Sequence, residues 1–145
     1  MELRELTNPK DVKRFKQVMD ALHPMGHPKG GVFAKGWRYW AYCDDNGEWR
    51  VLMSTHQLSV FFFSVKFRLP MDRTIMLRRI LTLQGGEGLA SEAIKALAQR
   101  LKDEGWHYLA TLSQKGHSGA LYKHAGMEKI GETRRGHGVW VLKLH

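Results

Sequence analysis

Cysteine is almost absent from this chain, because Cys43 is the only one among 145 residues. A single thiol cannot form an intramolecular disulfide, and the sequence is therefore typical of a reducing compartment. No apolar run approaches the roughly 18 residues that a membrane-spanning helix needs. The charged start M-E-L-R-E-L also lacks a signal-peptide core. We therefore expect a cytoplasmic location and no membrane partner.

Acidic residues are also scarce relative to basic ones. The chain has 23 Lys and Arg against 14 Asp and Glu, which gives a net charge of +9. Such an excess indicates an anionic partner, nucleic acid first, although a generally basic, soluble surface is the alternative. Trp37, Tyr39 and Trp40 lie among basic residues, where they could stack a base taken out of a duplex or simply be core residues of strands. Four basic clusters stand out: residues 10–16, 29–38, 66–79 and 133–137.

Metal-binding spacings are missing despite eight histidines. His23 and His27 are four residues apart, but Pro24 and Pro28 directly follow them and disfavour a regular helix there. The chain contains no H-E-x-x-H motif and no Cys-His spacing of a zinc site. We therefore predict no metal site.

A strand, a glycine-rich turn and a helix follow each other over residues 75–101. The run I-M-L-R-R-I-L-T-L, residues 75–83, is typical of a buried strand, and Q-G-G-E-G-L-A continues it over residues 84–90. Apolar residues then recur at helical spacing. The free N–H groups and the helix dipole would together bind a pyrophosphate, unless the glycines merely shape the turn. The helical stripe is Ala90, Ile94, Leu97 and Leu101.

Two other phosphate motifs do not fit this turn. A Walker loop needs Lys-Ser or Lys-Thr after the last glycine, and neither is present. A dinucleotide-binding turn needs an acidic residue on the next strand, whereas residues 106–112 contain none.

The turn and helix G-G-E-G-L-A-S-E-A-I resemble the coenzyme A turn of the GNAT N-acyltransferases, usually written Q/R-x-x-G-x-G/A. Gly88 and Ala90 match G-x-G/A, whereas Gly85 falls where Gln or Arg is expected and Gln84 comes one residue early. The resemblance implies acetyl-CoA, or another acyl-CoA, as the cofactor. The cofactor-binding residues that it implies are Leu83, Gln84, Gly85, Gly86, Gly88, Leu89, Ala90 and Ser91.

The segment L-Y-K-H-A-G-M, residues 121–127, looks like the family's tyrosine segment near the C-terminus. The resemblance implies that Tyr122 protonates the thiolate that departs when an amine attacks the thioester. A backbone N–H near residues 80–82 would polarise the thioester carbonyl. Taken alone, Tyr122 could equally be an amphipathic core residue of a short helix.

A narrower resemblance concerns S-Q-K-G-H-S-G-A-L-Y, residues 113–122. It is similar to the G-H-x-G-x-x-Y segment of phage Mom-like proteins, a GNAT branch that modifies adenine in DNA and protects it from restriction. This resemblance implies that Gly116, His117, Ser118, Gly119 and Tyr122 line the reaction centre, with His117 as a base or substrate contact. It also implies the cytoplasm of a bacterial host.

The chain is predicted to form one domain, residues 1–145, with a mixed α/β, GNAT-like fold: a central, mostly antiparallel twisted sheet flanked by helices. A helix should begin at Asn8, and D-D-N-G-E should join two strands as a hairpin. A Gly-, Pro- and Lys-rich loop, residues 26–36, is placed to contact substrate. The remaining predicted elements are strands at 59–67, 75–83 and 106–112, a helix at 118–125, a closing pair at 127–131 and 138–144, and an exposed turn at 134–138 that contacts phosphates.

The function predicted from these features is transfer of an acyl group from coenzyme A to a base of nucleic acid, with DNA favoured over RNA. One alternative is acylation of a protein, an aminoacyl-tRNA or a small amine on the same fold. The other is a basic nucleic-acid-binding module without catalysis, which would bind in a salt-sensitive way. The acyl group, the modified base and the oligomeric state do not follow from these residues.

Overall fold

The computed structural model describes residues 1–28 and 34–145. The strands are β1 (Glu2–Leu6), β2 (Lys35–Cys43), β3 (Trp49–Gln57), β4 (Thr74–Thr82), β5 (Tyr108–Leu112), β6 (Glu128–Glu132) and β7 (Gly138–Lys143). The helices are α1 (Pro9–Leu22), α2 (Phe61–Phe67), α3 (Ala90–Asp103) and α4 (Ala120–His124). None of the helices in the described residues is both long and apolar enough to cross a membrane.

The strands form one sheet in the order β1-β2-β3-β4-β5-β7-β6. Every neighbouring pair is antiparallel except β4 and β5, which run parallel. The long α3 connects these two strands, as a parallel connection requires. The predicted mixed α/β class and the mostly antiparallel sheet are therefore confirmed.

Local signals explain the first helix and the first hairpin. The Asn8 side chain caps α1 by accepting the Lys10 N–H at 2.8 Å, and Phe15 and Met19 are fully buried. Between β2 and β3, the Asp44 carboxylate accepts two backbone N–H groups at 2.8 and 3.0 Å. Gly47 takes the left-handed conformation at φ +79°, which is costly for other residue types. Both predictions are confirmed.

Helices cover both faces of the sheet. On one face, the α3 side chains pack against inward residues of the central strands, among them Trp40, Met53 and Leu77. On the other face, Phe15 and Met19 of α1 cover the half formed by β1, β2 and β3. Phe63 and Phe67 of α2 cover the half formed by β4, β5 and β7 on that same face. The space between α1 and α2 lies over the middle of the sheet.

The predicted strand at residues 59–67 is wrong, because residues 61–67 form α2. Its three phenylalanines and its valine favour a strand by propensity alone. Phe63 and Phe67 are one helical turn apart, are partly buried and pack together against the core, with their rings 4.7 Å apart. Phe62 stays 85% exposed, so tertiary packing at helical spacing outweighs strand propensity here.

Other differences are smaller. The edge strand β1 was not predicted, and the fifth strand begins at Tyr108 rather than at residue 106. The short helix spans Ala120–His124 inside the predicted 118–125. The closing pair is confirmed as the antiparallel pair of β6 and β7. Part of the predicted substrate loop and of the basic cluster at 29–38, namely residues 29–33, lies outside the described residues.

Candidate active site where β4 and β5 separate

The parallel pair β4 and β5 separates part-way along the sheet. β5 pairs with β4 only from Thr74 to Leu77, whereas β4 continues to Thr82. The Thr111 hydroxyl donates to the Leu77 carbonyl at 2.8 Å beside the last pair. Among the described residues, the end of β4 therefore has no strand partner on its β5 side. The separation leaves backbone N–H and C=O groups available to an extended ligand between the strands.

A bulge lies in β4 at this point. Ser54 of β3 pairs with Arg79, but the next residue, Thr55, pairs with Leu77. Arg78 is therefore an extra residue on β4, and its side chain is exposed. Bulges of this kind bend a strand and are common beside active sites.

The glycine turn begins where β4 ends. The Leu83 N–H donates to the Arg50 carbonyl at 2.8 Å, and the Gly86 N–H donates to the Leu83 carbonyl at 2.9 Å. A Cβ on Gly86 would lie 2.2 Å from the Arg50 carbonyl oxygen, so this position requires glycine for close packing. Gly88, at φ +79°, has no heavy atom within 4 Å of the corresponding point. The turn therefore packs on β3 through Gly86 and faces open space at Gly88.

The start of α3 completes this turn. Leu89 precedes the helix and supplies no side-chain cap, and the first N–H groups of a helix have no intrahelical acceptor. Those of Ala90 and Ser91 are thus free to meet an anion, supported by the helix dipole. The Gly85 N–H donates instead to the Glu87 carboxylate at 3.3 Å.

The other predicted cofactor residues surround the same turn. Gln84 is exposed, and its carbonyl accepts from the Arg50 guanidinium at 2.7 Å. Leu83 and Leu89 are half-buried and pack against the cores on opposite faces of the sheet. All eight predicted residues thus lie together, and their binding of coenzyme A stays a prediction.

Tyr122 of α4 lies beside the point of separation. Its ring packs against Trp140 at 6.2 Å between centroids. Burial raises the pKa of Tyr122, and a hydrogen bond with the Thr111 side chain lowers it in part. The phenol is therefore protonated at neutral pH and lies near the last β4–β5 pair, which Thr111 marks. This position suits a proton donor. The alternative that Tyr122 is a core residue is compatible with this role, because its ring also packs against Trp140.

Gly119 explains why α4 can approach the sheet so closely. Its φ is +71°, and a Cβ there would lie 2.2 Å from the Trp140 ring. His117 and Ser118, in contrast, are exposed in the turn before α4. The His117 N–H donates to the Gln114 carbonyl at 3.0 Å, and the Ser118 hydroxyl accepts the Ala120 N–H at 3.3 Å. The described contacts do not link either side chain to Tyr122, and their catalytic roles stay predictions.

Three segments surround the opening of the separated strands. The Arg79 guanidinium donates to the Gly26 carbonyl at 2.9 Å, and the Gln114 amide lies 3.5 Å from the Met25 sulfur. His137 Nδ1 lies 3.1 Å from the Ser113 carbonyl. The segments 23–28, 113–118 and 133–137 therefore form one rim. Asp20 and residues 23–28 line a cavity of about 480 Å³ beside it.

The rim is strongly basic. Within residues 1–28 and 34–145, no exposed Arg or Lys of the rim or the bulge forms an ion pair with a carboxylate. The carboxylate nearest to the cavity, Asp20, accepts the His27 backbone N–H at 2.8 Å. The predicted exposed turn at 134–138 is part of this surface. The exposed basic residues are Arg78, Lys115, Arg134 and Arg135.

A buried polar cluster lies beneath the segment 23–28 and was missed from the sequence. It contains the Ser54 hydroxyl, His56 Nε2 and His27 Nε2, each without a hydrogen-bond partner in the described structure. A local signal for it exists, since Ser54 and His56 are two residues apart in β3 and therefore project from the same face of the strand. The contribution of His27 had no such signal, because the chain folds it back from a distant loop.

No family model matches this sequence. The uncharacterized protein 154 of Sulfolobus islandicus rod-shaped virus 1 is 32% identical over 149 residues, which cover 99% of this chain and 96% of that protein. The chain belongs to the family of this viral protein. The alignment spans the strands, the glycine turn and the tyrosine segment, since it covers nearly the whole chain.

Solved structures show that this chain has the GNAT fold. A GNAT-family acetyltransferase from Listeria monocytogenes aligns with a TM-score of 0.71 and 12% identity, over 98% of this chain and 94% of that one. A GNAT N-acetyltransferase from Escherichia coli, in complex with CoA, aligns with a TM-score of 0.69 and 15% identity, over 99% and 81%. The spermidine/spermine N-acetyltransferase of Vibrio cholerae aligns with a TM-score of 0.67 and 12% identity, over 99% and 94%.

Proposed function

We propose that this protein is a coenzyme A-dependent N-acyltransferase. The observation that carries the proposal is the position of Tyr122, a protonated phenol beside the point where β4 and β5 separate. The glycine turn and the open N-terminus of α3 follow at the end of the same β4. β4 thus runs from the level of Tyr122 to a turn that would bind an anion, and a pyrophosphate-bearing thioester requires both.

The residues of the chain fit such a cofactor. The open side of Gly88 and the N–H groups of Ala90 and Ser91 would hold the pyrophosphate, and acyl-CoA would supply a thioester that an amine can attack. A backbone N–H of β4, within residues 80–82, would donate to the carbonyl oxygen as negative charge develops there. Tyr122 would pass its proton to the departing sulfur. The raised pKa of Tyr122 keeps that proton in place until the C–S bond breaks.

We further propose that the acceptor is an amino group on a nucleic-acid base, with DNA favoured over RNA. The basic rim supports this choice, because Arg78, Lys115, Arg134 and Arg135 would bind phosphates around the opening. The same charges would repel a polycation such as spermidine, which the Vibrio cholerae neighbour acetylates. A Mom-like modification of adenine that protects viral DNA in a host cytoplasm is the sharpest form of this proposal, and the relative in a virus supports its viral setting alone.

Calorimetric titration with acetyl-CoA tests the cofactor site. Gly88→Glu should abolish binding, because it places a carboxylate in the open space meant for pyrophosphate. Gly88→Ala is the matched control for the strained φ of +79° and should keep most of the affinity. Unchanged affinity of the Glu variant would overturn the anion site.

Nucleoside mass spectrometry on DNA and tRNA from cells that express the protein tests the acceptor. We expect a heavier deoxyadenosine in DNA, which should disappear with Tyr122→Phe. If acyl transfer occurs but neither pool contains a new nucleoside, the acceptor is a protein or a small amine. Salt-sensitive DNA binding without any affinity for coenzyme A would instead indicate a non-catalytic binding module.

A further inference from the structure

Three buried polar atoms without partners converge on one patch of the sheet. Ser54 and His56 project from the same face of β3, two residues apart, and Ser54 pairs with Arg79 across the strands. The His56 ring lies 4.7 Å from the Trp37 ring, and the His27 ring lies 5.2 Å from the same Trp37 ring. The patch therefore lies in the middle of the sheet, between α1 and α2, under the segment 23–28.

Such a concentration is costly without a ligand or water. A buried polar group that lacks a partner costs about 1–3 kcal/mol, and native proteins rarely leave one unexplained. The opposite face of the same strands behaves normally, because the Trp40 indole N–H donates to Thr55 at 3.0 Å and the Tyr42 hydroxyl donates to Glu92 at 2.6 Å. One further unpaired atom, Trp140 Nε1, lies apart from this patch in the α3-side core. The three unpaired atoms that share one patch therefore indicate a binding site there.

The two imidazoles present hydrogen-bond acceptors to this site. His56 Nδ1 lies 2.8 Å from the Gln57 carbonyl, which can only accept, so Nδ1 carries the proton and Nε2 carries the lone pair. Burial lowers the pKa of His56, as does the nearby Arg78, while the hydrogen bond with the Gln57 carbonyl raises it. Burial also lowers the pKa of His27, as do Lys16 and Arg79, while the Pro28 carbonyl and Asp20 raise it. Both rings are therefore neutral at pH 7, and their lone pairs can accept hydrogen bonds from N–H donors.

The position of His56 relates this patch to the proposed reaction. His56 pairs with Met76 of β4, the residue before the last β4–β5 pair at Leu77. Tyr122 approaches the same level of the sheet from the opposite face, where it packs with the α3 core. His56 and Tyr122 therefore lie on opposite faces of the sheet, next to the level at which β4 and β5 begin to separate.

We propose that His27, Ser54 and His56 form the pocket for the acceptor's amino group, and that His56 Nε2 takes the proton which the attacking nitrogen loses. This inference rests on the proposed acyl transfer. The nitrogen forms a bond to the carbonyl carbon and its proton goes to His56. The C–S bond breaks, and the sulfur receives a proton from Tyr122. His56 then returns its proton to solvent and Tyr122 regains one, so the cycle closes.

The kinetic test compares His56→Gln and Ser54→Ala with wild type. Thiol release from acetyl-CoA is measured over a range of pH, once with hexadeoxyadenylate as the acceptor and once with water as the only acceptor. The affinity of each variant for acetyl-CoA is measured by calorimetry. We expect His56→Gln to slow release about 100-fold, to lose the fall in kcat/KM at low pH, and to keep its cofactor affinity. Ser54→Ala should raise KM more than it lowers kcat. His124→Gln, an exposed change on α4, should match wild type.

Wild-type turnover and an unchanged pH profile in a folded His56→Gln variant would overturn the proposal. A second measurement is independent of turnover: ¹⁵N spectra of the imidazoles with and without hexadeoxyadenylate. Movement of the His56 and His27 Nε2 signals supports the pocket even if acetyl-CoA fails to bind, which would overturn the proposed function instead. If the Nε2 signals do not shift with the oligonucleotide but do shift with equimolar Zn²⁺, the patch is a metal site and not an amine pocket.

Discussion

Arg38 and Arg79 are two half-buried arginines of the same sheet with opposite surroundings. Arg38 contacts the carboxylates of Glu5 at 2.8 Å and Glu104 at 2.6 Å, and these hydrogen bonds raise its pKa. Within residues 1–28 and 34–145, Arg79 donates only to the Gly26 and Arg78 carbonyls, while burial and the neighbouring Arg78 lower its pKa. The chain thus neutralises its positive charge around Arg38 and leaves it uncompensated around Arg79.

The comparison extends to the two halves of the molecule. Around Arg38, polar groups are paired: its guanidinium links β1 and β2 to the end of α3 and lies 4.5 Å over the Trp40 ring. Around Arg79, strands separate, a bulge interrupts the ladder, and buried polar atoms lack partners. Paired charges are concentrated in the first half, and the strand separation, the bulge and the three clustered unpaired atoms lie in the second. Such departures are expected where a protein binds or reacts.

The glycine turn joins the two halves, and substitutions in it should give the largest difference in the free energy of unfolding. Gly86→Ala should lower the free energy of unfolding by about 3 kcal/mol, because the new Cβ would lie 2.2 Å from the Arg50 carbonyl oxygen. Gly88→Ala should cost only about 1 kcal/mol, for its φ of +79°. Urea unfolding of both variants measures this, and equal losses would show that the turn is packed equally on both sides.

The ion pairs of Arg38 should give the next largest effect. Arg38→Met should cost about 2 kcal/mol, since two partly exposed carboxylates lose charge-assisted hydrogen bonds. Arg38 lowers the pKa of Glu104 below its ordinary 4.5. The stabilisation is therefore full above pH 4.5 and is lost as pH falls through the folded-state pKa. Thermal melts should show a larger wild-type advantage over Arg38→Met at pH 7 than at pH 3.

The fold was largely predictable because most elements have local causes. Asn8 and Pro9 begin α1, Gly47 closes the first hairpin, and the stripe from Ala90 defines α3. β1 was missed because E-L-R-E-L has charged residues throughout, and only its pairing with β2 makes it a strand. α2 was assigned to the wrong class because its packing partners lie on β4, β5 and β7, which local propensity does not include.

The site was predictable only where it is contiguous in sequence. The glycine turn and Tyr122 each belong to a short motif, and the structure places both along the separation of β4 and β5. The acceptor pocket draws His27, Ser54 and His56 from a loop and a strand that lie far apart in sequence. Strand periodicity puts Ser54 and His56 on one face, but nothing in the sequence places His27 beside them.

The buried histidines should make the Arg79 half sensitive to acid. His27 and His56 both have a pKa below the ordinary 6.5, mainly through burial. Unfolding then takes up protons, so stability is full above pH 6.5 and is lost as pH falls from there through the folded-state values. Between pH 7 and pH 5, the His56→Gln variant should lose less of its free energy of unfolding than wild type does, as measured by urea unfolding at each pH. Equal losses would show that His56 is not buried as a neutral ring.

The smallest effect on stability is expected at Arg79 itself. Arg79→Met should change the free energy of unfolding by no more than about 0.5 kcal/mol, because the side chain contacts carbonyls and no carboxylate. Its effect should appear in binding instead: affinity for single-stranded DNA should fall about fivefold, and the salt dependence should decrease by about one phosphate contact.

Arg38→Met is the matched control for this measurement, because it removes the same charge from the neutralised half and should leave DNA affinity unchanged. If Arg79→Met instead destabilised the fold as much as Arg38→Met and left DNA binding intact, Arg79 would serve only to hold the segment 23–28 through Gly26. The positive charge around the opening would then be structural, and the argument for an anionic acceptor would rest on the exposed basic residues of the rim alone.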